Sequence, residues 1–320
     1  MHIPNIIPLW QCAIYLVIFF IALFFSQRWA RDNLDERSVP LMAVLAAGIF
    51  VIMTLNIPLP LGISGHVVGA AMIAIIFGAV EPAIIIFALV LLAEALAIGD
   101  GGITVIGANL LNMGIIGGFV GLYGFKALKK PLGKIPAIAI ASWSAIVLSA
   151  VATALELWFA GVFPLQSGVM LMGIYHMFIG IIEAVITVVV ILALESVRPD
   201  LLSWSNEDEA QSEPAKAPSG NRKRNIFIAL TIVVLIGVLS PFVASGNPDG
   251  LQKSMEQLSS NVQEQNYYSP PMADYTIPGF ENNPLGGVLA LLLGISAVAV
   301  VAYIIARILK KRNPPEEVSE

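Results

Sequence analysis

The chain has 320 residues, of which 57% are hydrophobic and only 12% charged, a balance that excludes a soluble globular domain. A formal net charge of −5 says little by itself, since the placement of lysine and arginine matters more than their sum, and nucleic acid is not an expected partner. The single cysteine, Cys12, excludes an internal disulfide framework and a multi-thiolate cluster, so any bound metal must take nitrogen or oxygen ligands.

Nine apolar runs, taken in chain order, suit membrane crossings of roughly 17 to 25 residues: 9–26, 38–56, 65–80, 82–98, 104–125, 136–159, 168–195, 225–243 and 284–309. The third and fourth are short and meet at Gly78-Ala79-Val80-Glu81-Pro82, so one or both are expected to be tilted, broken or packed inside the bundle. The expected fold class is all-α, a polytopic transmembrane bundle of about seven helices followed by two more.

Residues 1–30 have no basic stretch before the apolar run and no small-residue cleavage site, so they read as a retained span rather than a signal peptide. With the amino terminus outside and the carboxyl terminus in the cytoplasm, nine spans place sixteen of the seventeen basic residues inside, from Arg28, Arg31 and Arg37 to Lys311 and Arg312. Only Lys253 falls outside. The expected location is therefore the cell membrane, in contact with lipid.

Residues 196–224 are polar, rich in Pro, Ala, Ser and Lys, and read as a cytoplasmic linker between a seven-span module (1–195) and a two-span module (225–320). The polar stretch 244–283 between the last two spans reads as an external arm over the first module.

Only three histidines occur, His2, His66 and His176. His66 follows a Pro/Gly-punctuated loop (58–65), with Ser64 as a candidate N-cap for the third span. His2 and His66 map to the same membrane face. The Met1 amine and His2 amide nitrogen can close a five-membered ring on a metal, the amide and imidazole Nδ1 a six-membered one, and His66 can supply a fourth nitrogen. Four nitrogens in a plane suit Ni(II) or Cu(II) better than tetrahedral Zn(II) or oxygen-seeking Mg(II) and Ca(II), with Co(II) still open. The plainer alternative is an arbitrary second residue and a helix-end histidine bonded to backbone.

The motifs Met1-His2-Ile3-Pro4, Ser64-Gly65-His66, Gly99-Asp100-Gly101-Gly102, Gly107-Ala108-Asn109-x2-Asn112-Met113-Gly114 and His176-x3-Gly180-x2-Glu183-Ala184 occur in that order. Together they resemble the CbiM/NikM substrate-specific subunits of nickel/cobalt energy-coupling-factor (ECF) transporters over about residues 1–195. The resemblance implies a seven-helix capture protein holding its ion with the Met1 amine, the His2 amide and imidazole, and the His66 imidazole. Asn5 and Ile6 stand where family members usually carry an acidic residue. Farther on, Pro248-Asp249-Gly250-Leu251-Gln252 and 273–279 are similar to the two-span PDGLE (NikN-type) accessory subunit, with Gln252 in place of Glu. A fusion of this kind leans toward nickel over cobalt.

Polar residues in or near the spans are candidates for a path or a surrounding shell beneath the metal: Asn5, Ser64, Glu94, Asp100, Asn109, Asn112 and His176. For Glu156 and Glu183, interhelical hydrogen bonding is the preferred reading. Small residues, Gly114, Gly117, Gly118 and Gly121 among them, suit close helix contact, and Ala43 and Ala47 are a candidate docking point for a coupling subunit. The sequence lacks a Gly-x4-Gly-Lys-Ser/Thr loop, so ATP hydrolysis must come from elsewhere. The resemblance implies a transmembrane coupling subunit (EcfT/CbiQ/NikQ-type) and ABC ATPases (CbiO/NikO-type) as partners, with no resident cofactor and no enzymatic activity. Other readings are a membrane metal sensor or scaffold and, more weakly, an intramembrane hydrolase built on His176 and Glu183.

Overall fold

The computed structural model describes residues 1–36, 38–202, 222–259, 262–265, 267–280 and 283–310. After an irregular start come α1 (Leu9–Asn33), α2 (Ser38–Thr54), an antiparallel hairpin of β1 (Ile57–Leu59) and β2 (Ile63–Gly65), and the short α3 (Ala70–Phe77). Helix α4 (Glu81–Ala93) runs on into a π-helical end, Glu94–Ile98. Beyond a glycine turn, α5 (Ile106–Asn109), a second π segment (Leu110–Ile116) and α6 (Gly117–Leu132) form one rod, followed by α7 (Lys134–Phe159) and α8 (Leu165–Val197). The C-terminal part contributes α9 (Arg222–Val243), α10 (Gly250–Leu258) and α11 (Pro284–Leu309). Most of the expected linker, and the last ten residues, lie outside the described residues.

Among the described residues, six helical runs are long and apolar enough to cross a membrane: Leu9–Asn33, Glu81–Ile98, Ile103–Leu132, Lys134–Phe159, Leu165–Ser196 and Pro284–Leu309. The apolar helices Ser38–Thr54 and Leu230–Val243 are shorter. Val17, Phe20 and Phe24 on α1 and Ile181, Val185 and Val189 on α8 are all exposed. Continuous outward apolar faces of this kind need hydrocarbon rather than water around them. The molecule is a polytopic helical membrane protein.

The third apolar run does not form a span-length helix. Eight residues of helix rise about 12 Å, against a hydrocarbon core of about 30 Å, and Ala70 through Ile76 are all buried within the protein. The reason lies in the segment before it. Ser64 sits in β2 instead of capping a helix, the chain passes Gly69 in the left-handed region, and α3 begins only at Ala70. The N–H groups of Val68 and Gly69, just before the helix, donate to the Glu183 carboxylate of α8, both at 2.8 Å, and this fixes the irregular segment that delays the start of α3. Glycines let α6 lie against this leg. A Cβ on Gly117 would be 3.2 Å from the Ala70 Cβ, and one on Gly118 2.9 Å from Val80 Cγ1.

Lys126 Nζ donates to the Gly78 carbonyl at 3.3 Å, Lys134 pairs with Glu195, and Lys310 with Glu36. These bonds tie α6 to the end of α3, α7 to α8, and α11 to the turn after α1, each through a basic residue near a helix end. Ala43 and Ala47 are buried inside the chain, where α2 packs on α9 and α11, so they are not the exposed docking point the sequence suggested.

The arm 244–283 crosses the opposite end. Ser245 N–H donates to the Asn56 carbonyl at 2.7 Å, Ser259 Oγ to that of Val162 at 2.6 Å, and Met272 N–H to that of Ala97 at 2.8 Å. Helix α10 lies against α8, where Gln257 Nε2 donates to the Tyr175 hydroxyl at 3.0 Å.

Candidate metal centre

Residues 1–7 turn into the bundle before α1 starts, and Ile3 is completely buried. A buried strand of backbone needs partners, and Asn109 supplies them. Its Oδ1 accepts from Ile3 N–H at 2.8 Å while its Nδ2 donates to the Ile3 carbonyl at 3.2 Å. Gly102 N–H donates to the same carbonyl at 3.3 Å. A Cβ on Gly101 would come within 2.9 Å of Asn109 Nδ2 and 3.4 Å of the His2 Cβ, at a φ of +72°. The glycine turn therefore lets the chain start and Asn109 close on each other.

The Met1 amine lies 2.7 Å from Asp249 Oδ2 and 3.4 Å from His66 Nε2. The His2 ring stacks beside that of His66, with centroids 5.2 Å apart and planes 22° from parallel. Two nitrogens each about 2 Å from one ion must lie within about 4 Å of each other, so the amine and His66 are already within the reach of a shared metal. His2 is arranged differently. Its Nδ1, the expected chelating atom, faces Asp100 Oδ1, and its Nε2 faces Glu94 Oε2, each at 3.2 Å. Asp100 is held in turn by the Tyr275 hydroxyl at 2.7 Å.

Charge explains the arrangement. Burial draws the His2 pKa down, but the carboxylates of Asp100 and Glu94 outweigh it and raise the imidazole to about 10. For His66, burial, the terminal ammonium and His2 all act to lower the pKa, leaving a neutral ring whose Nε2 lone pair faces the amine. Burial pushes Asp100 and Asp249 upward, but His2 in the first case and the terminal ammonium in the second hold each well below the usual carboxylate range. His66 thus offers a free nitrogen lone pair, whereas the His2 imidazole must give up a proton before it can ligate, and the carboxylates of Asp100, Glu94 and Asp249 supply a concentrated negative charge that favours a cation.

Other expected residues spread around this centre. Glu94 and Asp100 touch His2, and Asn109 clamps Ile3. Asn5 accepts from Thr104 Oγ1 at 2.6 Å and, through its carbonyl, from Gln265 N–H at 3.1 Å, fastening the chain start to the arm. Ser64 likewise binds the arm, its Oγ donating to the Asn247 carbonyl at 2.7 Å and its N–H to that of Pro248 at 2.8 Å. Asn112 does not share Asn109's role, since its Nδ2 donates to Glu156 Oε2 at 2.7 Å. His176 Nδ1–H donates to the Met172 carbonyl at 2.8 Å, and the ring lines a small cavity with Met1, Gly65, His66 and Asp249. Asp249 and Tyr275 were absent from the expected site; only their place in a resemblance motif pointed toward them.

An inturned chain start facing a histidine, enclosed by a polytopic bundle, defines a membrane protein with a buried polar niche. The sequence matches the family model for the cobalt uptake substrate-specific transmembrane region, CbiM, over residues 2–201, and the PDGLE domain over 222–311. The chain belongs to the CbiM family of nickel/cobalt transport proteins. It is 28% identical over 349 residues to the fused nickel transport protein NikMN of Rhodobacter capsulatus, with 93% of this chain and 95% of that protein covered. A crystal structure titled as a transition metal transporter is 30% identical, with a TM-score of 0.55, covering 67% of this chain and 100% of its own. A truncated transition metal transporter gives 32% identity and a TM-score of 0.54, over 61% and 99%. The hydrolase reading finds no support in this kinship, and Glu183 is committed to the backbone before α3.

Proposed function

We propose that this chain is the substrate-binding subunit of an ECF-type importer, taking up Ni(II), or Co(II), at the outer membrane face through Met1, His2 and His66. The observation that carries the proposal is the Met1 amine facing His66 Nε2 at 3.4 Å in a buried niche. For a full nitrogen set, His2 Nδ1 turns from Asp100 toward the amine, while Glu94 keeps hold of Nε2–H, as carboxylates that orient metal-bound imidazoles do. The basic ends cluster away from the site, and the positive-inside bias then favours an outward-facing niche with the carboxyl terminus in the cytoplasm. Residues 1–195 act as the capture module and 225–320 as its accessory. Nickel is favoured over cobalt by the planar nitrogen set and by the fused organisation shared with a relative named for nickel. A coupling subunit and ABC ATPases supply the energy.

The test is accumulation of radiolabelled nickel by cells that make the chain with its coupling subunits. Uptake should require ATP and disappear in His66→Ala. Tight binding without accumulation would favour the sensor reading instead.

A further inference from the structure

The segment 248–252 closes the niche from the C-terminal part of the chain, and each of its residues has a physical task. Pro248 gives its carbonyl to Ser64 N–H at 2.8 Å. Gly250 lies directly on His176, where a Cβ would be 2.8 Å from Cε1. Leu251 is buried, and Gln252 completes a reciprocal cap with Asp249, its N–H donating to Asp249 Oδ1 at 2.8 Å and its Oε1 accepting from Asp249 N–H at 3.1 Å. That cap leaves Asp249 Oδ2 for the Met1 amine at 2.7 Å. One carboxylate thus joins the start of the capture segment to the first turn of α10, although 248 residues separate the two.

We propose that Asp249 is a positioning residue for metal capture: its carboxylate seats the Met1 amine opposite His66 and stays beside the bound ion as a neutralising charge. Seating the amine in advance removes part of the ordering cost that a loose chain start would meet on binding. A divalent ion chelated by one deprotonated amide keeps a net positive charge, and a buried carboxylate a few ångströms away stabilises it in a site with little water. The arm thereby becomes a working part of the capture site. This inference rests on the metal reading given above.

Two substitutions in the full-length chain, made without any extension before Met1, separate charge from capping. Asp249→Asn keeps a good N-cap but loses the charge, whereas Asp249→Glu keeps the charge with a poorer cap. Ni(II) affinity is measured by competition with a chromophoric chelator, and the ligand field by visible absorption. Loss of the neutralising charge beside the ion, and of the seat for the amine, should weaken Ni(II) binding about tenfold or more in Asp249→Asn, with the absorption band unmoved because the nitrogen donors are the same. Asp249→Glu should recover to within about threefold of the unaltered chain. Unchanged affinity in Asp249→Asn, or weaker binding in Asp249→Glu than in Asp249→Asn, would overturn the role by reducing Asp249 to a helix cap. A shifted band would overturn it in favour of direct ligation. Failure of the unaltered chain to bind Ni(II) at all would instead bring down the metal reading, and this inference with it.

Discussion

Asn109 shows how much of the site depends on a residue outside the proposed donor set. It satisfies both backbone groups of Ile3, so Asn109→Leu leaves the buried Ile3 N–H without its partner, and the carbonyl with only Gly102 N–H, at a cost of about 1–3 kcal/mol. Thermal unfolding in detergent should show that loss, and calorimetry should show weaker Ni(II) binding because Met1 and His2 are no longer held; an unchanged midpoint and affinity would refute the clamp. The meeting of Met1, His2 and His66 was legible in the sequence, since three histidines leave few pairings and two of them map to one end of the bundle. The Asn109–Ile3 pairing was not, because its members are 106 residues apart and no local periodicity links them. His2 differs from expectation for an electrostatic reason. Two carboxylates attract its imidazole, and nothing in the dipeptide Met1-His2 announces them.

The apolar runs predict helices well where lipid or a long partner lies alongside. They fail at 65–80, because hydropathy measures the gain from leaving water and does not say whether protein or lipid takes its place. Helix α3 is apolar on all sides because it is surrounded by α4, α6 and other elements of the same bundle. The small residues of α6 did carry that information. A Cβ on Gly121 would collide with Ala71, whereas one on Gly173 of α8 would meet nothing within 4 Å. Gly121→Ala should therefore destabilise the chain by about 1–3 kcal/mol through overpacking, while Gly173→Ala should be neutral or slightly stabilising. Denaturation by titrated SDS, followed by circular dichroism, distinguishes the two. Equal midpoints would mean that α3 and α6 are not in close contact.

At the scale of the whole molecule, the irregular segments converge at one end: the chain start, the β1–β2 hairpin, the glycine turn 99–102 and the arm. Helices hold these pieces at fixed positions; Lys126, Lys134 and Lys310 lie toward the opposite helix ends, while Lys253 sits within the arm. The sequence foretold an arm over the first module and the bundle class. Its contact with the amine was hidden, because hydropathy and spacing say nothing about pairing between polar segments so far apart. The central claim is that the amine of Met1, buried with only 4% of the residue exposed, is itself a metal donor. Calorimetry with Ni(II), paired with absorption spectra, tests it most directly on the unaltered chain and on one extended by two residues before Met1. An extension turns the amine into an amide and cannot fit the niche. The account predicts tight binding with a yellow, diamagnetic, square-planar Ni(II) centre in the unaltered chain and loss of both in the extended one. Equal affinity and an identical spectrum in the extended chain would contradict it.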